Sequence, residues 1–304
     1  MRALRARSYA KVNLGLEVLG LRDDGYHELR TLFQTIDLHD DIVLRPLARG
    51  AGVRVTCDHP LVPCDGSNLA VRAAVDLQRY AGVDHGVEIT IRKRIPVGGG
   101  LGGGSSNAAT VLLALDTLWG LGLGPAGLHR LAVRLGADVP YFLVGGTALG
   151  LARGDEVYPL HEQVEGHFVV VDAGIHVSTK AVFDRVDAGL TPRENSNSIF
   201  YFVSRGLEGE GAYRLLSNDL EPAALDEAPV LREKAARVRG VLSHFGARLA
   251  ALSGSGASYF GLFDSARPAG RARRALEAEG LRAHVARALT LDEYRAARDR
   301  WRVR

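Results

Sequence analysis

The sequence predicts a mixed fold of strands and helices with room for two domains, and three observations carry that expectation. The 304 residues are 46% apolar and 24% charged, an ordinary globular composition in a chain long enough for two cores. Glycine fills every position but one from Gly98 to Gly104, between an alternating strand pattern and an amphipathic helix pattern. In the last third, strands and helices follow one another in the order of a ferredoxin-like split β-α-β layer.

Composition narrows the function classes. Lysine and arginine total 38 against 35 aspartate and glutamate, a net charge of +3, and the arginines are spread along the chain, which argues against a nucleic-acid role. Arg295, Arg298, Arg300, Arg302 and Arg304 form a basic tail that reads as a solvated helix face. No run approaches the ~18 apolar residues of a membrane span. Residues Met1 to Arg7 lack the apolar core of a signal peptide, so a cytoplasmic protein is expected. Cys57 and Cys64 make no disulfide framework, and with His59 they have no matching ligand pair elsewhere, so no metal centre is expected.

Taken in order, Ser8 to Leu19 alternates like a strand, with Leu14, Leu16 and Val18 on one face and Lys11 and Asn13 together on the other. A lysine so placed reads plainly as solvated. Asp24-Gly25 signals a hairpin turn, after which Tyr26 and His27 begin the next strand, the aromatic covering its end. Ser67 or Asn68 caps a helix from Leu69 to Tyr80. Val87 to Pro96 reads as a half-exposed strand.

The next stretch is Pro96, Val97, Gly98, Gly99, Gly100, Leu101, Gly102, Gly103, Gly104, Ser105, Ser106. Glycine loses more backbone entropy on folding than any other residue, so packing alone does not account for this density. Asn107 to Trp119 then carries an apolar stripe of Leu112, Leu115, Leu118 and Trp119, with Ser105 or Ser106 as the natural N-cap. A glycine loop feeding a helix N-terminus is the physics of a polyphosphate cradle, because bare N-H groups and the positive end of the helix dipole converge there. The match of Gly98 to Gly103 to the dinucleotide fingerprint is nearly automatic in such a run. Its context fails, since the preceding strand is half-exposed and Asp116 falls inside the helix. A Walker loop would need a lysine after Gly104, where Ser105 stands, and no protein-kinase H-R-D or D-F-G element occurs.

Pro125 to Gly136 reads as a short helix, and Asp138, two residues before Pro140, has an obvious use as an N-cap. Gly145 to Gly150 turns the chain back. In the second half Phe168 to Asp172 is a buried strand, and Ser178 or Thr179 caps a helix in which Phe183 reads as core. Asp187 to Ser198 is polar and without period, a surface loop or inter-element lid. Val230 to His244 is helical, Arg248 to Leu252 a strand, Ser253 to Ser258 a tight glycine turn into Tyr259 to Phe263, Arg271 to Glu279 a helix and His284 to Leu289 a closing strand.

These motifs resemble the GHMP kinases, the superfamily of galactokinase, homoserine kinase, mevalonate kinase and phosphomevalonate kinase. The doubled triple glycine is narrower, and is similar to the branch that phosphorylates 4-diphosphocytidyl-2-C-methyl-D-erythritol in non-mevalonate isoprenoid synthesis. The resemblance runs in order through Lys11, Tyr26 and His27, the glycine loop, Asp138, Phe183 and Ser253, and departs at Tyr9, where a proline is usual. It implies an α+β fold of two domains with the active site between them. Residues 1–150 would be an ATP-binding domain with an unusual left-handed β-α-β unit, and residues 151–304 a ferredoxin-like substrate domain.

The resemblance also implies roles. ATP, as Mg-ATP, would lie on Pro96 to Ser106, with Ser106 offering its hydroxyl to Mg²⁺ and Asn68 near the adenine. Asp138 would take the proton of the acceptor's 2-hydroxyl, beside Lys11. Asn13, Tyr26, His27, Thr179 and Phe183 would line the acceptor site, with the cytidine base between Tyr26 and Phe183. The Ser253 to Ser258 turn would pack near the phosphate loop. A small cytidylyl alcohol is the partner expected, with neither nucleic acid nor membrane, in a monomer or homodimer. A homoserine- or mevalonate-type alcohol kinase is the alternative within the family, and a dinucleotide-binding oxidoreductase the alternative outside it.

Overall fold

The computed structural model describes residues 3–189, 197–205, 212–300 and 302–303. The chain opens on two long antiparallel strands, β1 (Leu4–Leu21) and β2 (His27–Leu47), joined by a turn in which Gly25 takes φ 79°. Bulges after Tyr9, Asn13 and Val18 bend the pair and re-aim its side chains. Next come β3 (Val53–Cys57), α1 (Leu69–Ala81) and β4 (Gly86–Arg92), with β3 and β4 parallel. This crossover is the unit that the resemblance expects to be left-handed. Asn68 caps α1 by accepting the Ala70 N-H at 2.9 Å.

The first layer continues with α2 (Gly103–Trp119), α3 (Gly124–Leu135), α4 (Tyr141–Val144), β5 (Thr147–Leu151) and β6 (Glu156–Pro159). Strand β5 joins β2 across Thr31 to Gln34, and β6 pairs with β5, so the first sheet runs past residue 150. One face of this sheet packs on the helices through Ile42, Leu44, Ile89 and Ile91. Helix α2 is the central one. Its residues Ser106 to Leu112 are all buried, which a single apolar stripe does not describe, because other elements surround its first half.

The second layer comprises β7 (His167–Asp172), α5 (Thr179–Gly189), α6 (Ser198–Ser204), a 3-10 turn (Ala212–Leu215), α7 (Glu221–Glu227), α8 (Val230–His244), β8 (Leu249–Leu252), β9 (Ser258–Phe263), α9 (Ala266–Ala278) and β10 (Arg282–Arg287). The antiparallel order β10-β7-β9-β8 is the ferredoxin-like arrangement the strand pattern led us to expect. Of the loop expected at Asp187 to Ser198, the first residues continue α5, residues 190–196 lie outside the described residues, and Ser198 opens α6.

The middle of β7, Phe168 to Val171, is apolar because both its faces are covered. Phe168 and Val170 pack with Val12, Leu14, Leu32 and Ile36 of the first sheet, while Val169 and Val171 pack with Leu231, Val238, Leu242 and Leu276 of the helices. The two layers therefore share a core along β1.

Helix α10 (Leu291–Arg298), opened by a capping box of Thr290 and Glu293, and β11 (Arg302–Val303) bring the chain back to β1. Tyr9 is buried between the rings of His39 and Tyr294, at 5.5 and 5.9 Å, and so fastens α10 to the first sheet. Arg298 donates to the Leu143 carbonyl at 2.8 Å, so this member of the basic tail is structural rather than solvated; Arg304 lies outside the described residues. Among the described residues, no helix is long and apolar enough to cross a membrane.

Candidate active site

The glycine stretch forms a connected cradle. Gly98, Gly100 and Gly102 take φ 73°, 72° and 68° while Gly99 and Leu101 between them do not, and such left-right alternation turns successive N-H groups into one concavity. The carbonyls face the other way. Those of Gly99, Gly100 and Leu101 accept from the Ser258 N-H (3.2 Å), the Ser253 hydroxyl (3.0 Å) and the Lys11 N-H (3.1 Å). Gly102 occupies the N-cap of α2, so Ser105 and Ser106, expected as caps, lie in its first turn, and the Ser106 N-H donates back to Gly102 at 2.8 Å.

The glycines serve two masters. A Cβ on Gly99 would run into the Ser258 hydroxyl, one on Gly100 into the Ser253 carbonyl, and one on Gly102 would come within 2.7 Å of Phe142. Packing thus requires three of them and accounts for part of the glycine density. Gly104 differs. It is helical, exposed, and a Cβ there would meet only Leu69, at an ordinary 3.6 Å. Glycine in a helix costs roughly 1 kcal/mol against alanine, and nothing in the protein requires it at this position. The bare surface at Gly104 fits a ligand lying against the helix N-terminus.

Lys11 and Asp138 meet at the floor of this cradle. The Lys11 ammonium stands 3.4 Å from the Asp138 carboxylate and donates to the Asn13 side-chain carbonyl at 2.6 Å. Asn13 in turn donates to Thr31 at 2.8 Å, and the Thr31 hydroxyl to the Gly15 carbonyl at 2.8 Å. Asn13 is 2% exposed, so this relay orients Lys11. Asp138 sits in the turn before α4, whose N-cap is Pro140 with no side-chain bond, so the capping use expected for Asp138 is absent. The same point receives the Ser253 to Ser258 turn. A Cβ on Gly254 would lie 3.6 Å from the Lys11 nitrogen and 3.3 Å from the Asn13 oxygen.

Two groups of residues supporting the cradle carry no local signal in the sequence. Asp40, fully buried on β2, accepts the Lys93 ammonium, the N-H groups of Arg94 (2.8 Å) and Ile95 (2.9 Å), and Asn107 (3.0 Å). This places the Lys93 ammonium 3.0 Å from a Cβ on Gly103, so a cation stands at the helix start although the loop itself has none. Ser8 donates to the Ser106 hydroxyl at 2.7 Å, and Ser106 is 1% exposed, which ties that hydroxyl to the loop's support. Asn218 donates to the Leu252 and Gly254 carbonyls at 2.9 and 2.6 Å and fixes the glycine turn.

Of the expected acceptor residues, Tyr26 and His27 lie at the hairpin end of β2, where His27 meets Phe183. His27 is buried and stacks on Phe183 with ring centroids 4.7 Å apart. Tyr26 belongs to the turn and not to the strand; it is 55% exposed, with the Arg153 guanidinium 4.9 Å from its ring centroid. The Thr179 and Ser255 hydroxyls lie 2.8 Å apart, tying the start of α5 to the glycine turn.

Residues 68–146 match the family model for the N-terminal domain of GHMP kinases and residues 207–282 that for their C-terminal domain. The chain is similar to the 4-diphosphocytidyl-2-C-methyl-D-erythritol kinase of Chlorobium luteolum, 41% identical across 91% of this chain and 93% of that one. The enzyme of the same name from Gloeobacter violaceus is 42% identical across 86% of each. A crystal structure of 4-(cytidine 5'-diphospho)-2C-methyl-D-erythritol kinase superposes with TM-score 0.76 at 39% identity, covering 93% of this chain and 98% of that one. Homoserine kinase from Cytophaga hutchinsonii, at 20% identity and TM-score 0.72, shares the fold. With this identity to those enzymes along most of its length and both family domains matched, the chain belongs to the 4-diphosphocytidyl-2-C-methyl-D-erythritol kinase family of the GHMP kinases.

Proposed function

We propose that this chain transfers the γ-phosphoryl group of ATP to the 2-hydroxyl of 4-diphosphocytidyl-2-C-methyl-D-erythritol, as a cytoplasmic enzyme acting alone or as a homodimer. The observation that carries the reading is the Lys11-Asp138 pair at 3.4 Å beside a glycine cradle whose Gly104 is bare for no structural reason. The names of the relatives support the acceptor.

The N-H groups of Gly98 to Ser105 hold the phosphates, and the positive end of α2 favours their charge. Asp138 accepts the proton of the acceptor hydroxyl, and Lys11, held by Asn13, offsets charge on the attacking oxygen. Mg²⁺ carried with ATP over the Gly98 to Ser105 loop would supply positive charge against that of the transferring group. Among the described residues no three His, Cys, Asp or Glu side chains gather as a metal site. His27, Phe183 and Tyr26 receive the cytidine end, with Thr179 between that end and the glycine turn. The test is ATP consumption against galactose, homoserine, mevalonate and the cytidylyl alcohol, with the product's phosphorylation site read by phosphorus NMR. Turnover restricted to the cytidylyl alcohol is expected. Preferred turnover of another alcohol would refute the assignment.

A further inference from the structure

Arg153 sits in the turn between β5 and β6, outside every motif that pointed to the active site. Its guanidinium lies over the ring of Tyr26 at 4.9 Å from the centroid. The turn is built to hold it there. Ala152 takes φ 57°, the one non-glycine residue with positive φ among the described residues, in a region that L side chains rarely adopt. Its carbonyl accepts the Leu29 N-H at 2.6 Å, which fastens the turn to β2 two residues beyond His27.

Asp155, 8% exposed, then clamps the arginine. Its carboxylate accepts the Arg153 N-H at 3.2 Å, Nε at 3.1 Å and Nη2 at 2.6 Å. Tyr26 is fixed from its own side by its N-H donating to Asp24 at 3.1 Å. With the guanidinium over its ring, Tyr26 is still 55% exposed, which leaves ring surface for a ligand.

We propose that Arg153 is a positioning residue for acceptor recognition, backing one face of Tyr26 so that the opposite face is presented, already oriented, to the acceptor's base. The proposal rests on the acceptor reading above. A cation held against an aromatic face restricts the ring before the ligand arrives, and ordering done in advance is not charged against binding. The bland alternative is a surface arginine paired with Asp155 that has no bearing on the acceptor.

Steady-state kinetics with ATP and the cytidylyl acceptor separate these for the wild type, Arg153→Ala, Arg153→Lys, Tyr26→Ala and the Arg153→Ala/Tyr26→Ala double variant. Arg153→Ala is expected to raise acceptor KM by roughly 3 to 10 fold, with kcat and ATP KM within about twofold of wild type. Arg153→Lys, which keeps a cation beside Asp155, is expected to fall between, and gives the same reading if the alanine variant does not fold. In the Tyr26→Ala background, Arg153→Ala should add nothing further. An unchanged acceptor KM in Arg153→Ala, alongside a raised one in Tyr26→Ala, overturns the proposal. An equal effect of Arg153→Ala with and without Tyr26 also overturns it, since the arginine would then act by another route. If Tyr26→Ala itself leaves acceptor KM unchanged, the base-site reading fails, and this inference with it.

Discussion

The Lys11 ammonium stands 3.4 Å from the Asp138 carboxylate, and the two side chains differ in exposure, 4% for the lysine and 36% for the aspartate. The cation is buried and fixed by Asn13, while the carboxylate keeps an open side. That asymmetry suits a base that must be reached by an acceptor hydroxyl next to a charge that must not move.

The relay behind Lys11 gives the first prediction. Asn13→Ala removes the acceptor at 2.6 Å from a buried ammonium and the donor to Thr31. The variant should lose about 1 to 3 kcal/mol of stability. Turnover should fall roughly 10 to 100 fold as the ammonium drifts from its position. Denaturant titration and kcat measure the two losses, and wild-type values for both would remove Asn13 from the account.

Glycines that look alike in the sequence should respond in opposite ways. Gly102→Ala places a methyl 2.7 Å from Phe142 at φ 68°, and should lower Tm. Gly104→Ala makes only an ordinary 3.6 Å contact with Leu69 in a helix, so it should hold or raise Tm by removing a helical glycine. It should nevertheless weaken ATP binding by about tenfold or more, because the side chain stands where phosphate approaches. Calorimetry of ATP binding beside thermal melts checks the contrast. Undiminished ATP affinity in Gly104→Ala would mean that the cradle lies elsewhere.

At the other end of the site, cytidine diphosphate should compete with the acceptor and leave ATP binding alone. Stacking of a base on an aromatic ring is worth roughly 1 to 3 kcal/mol, so Phe183→Ala should raise acceptor KM about 5 to 150 fold. The ring is remote from the transferred group, so kcat should change little. Competition against ATP instead would move the base site away from the His27-Phe183 pair.

Acid stability carries a separate signature at His284 of β10. Burial lowers its pKa, reinforced by Arg282 and Arg273 and opposed by Asp172 and Glu277. The folded protein therefore favours the neutral ring, and the unfolded chain binds the proton more readily. The stability from this group is full above the unfolded value, ~6.5, and is lost as pH falls below it toward the folded one. His284→Asn should flatten that part of the Tm profile between pH 7 and 5, and an unchanged slope would exclude His284 as the cause.

Much of the fold was legible because its signals are local. The Asn68 cap, the Val230 to His244 helix and the split β-α-β order all appear as written in the sequence. The phosphate loop was legible as a loop, but its helix starts at Gly103 because Gly102 in the left-handed region turns the chain earlier than a serine cap would. Which glycines serve packing was not legible, since Phe142, Ser253 and Ser258 approach them from distant segments. Asp40 reaches Lys93 and Asn107 across 53 and 67 residues, and no periodicity encodes such a meeting. The single stripe expected on α2 failed for a related reason, as a helix enclosed on several sides has no solvent face to mark.

The measurement that bears most directly on the central claim is single-turnover phosphoryl transfer from ATP to the cytidylyl acceptor by Asp138→Asn. Asp138 caps no helix, so the folded structure and ATP affinity should be those of the wild type. Loss of the base should slow the chemical step by roughly 10² to 10⁴ fold. A variant that binds ATP normally and transfers phosphate at nearly the wild-type rate would contradict the assignment of Asp138 as the base and, with it, the reading of the Lys11-Asp138 pair as the catalytic centre.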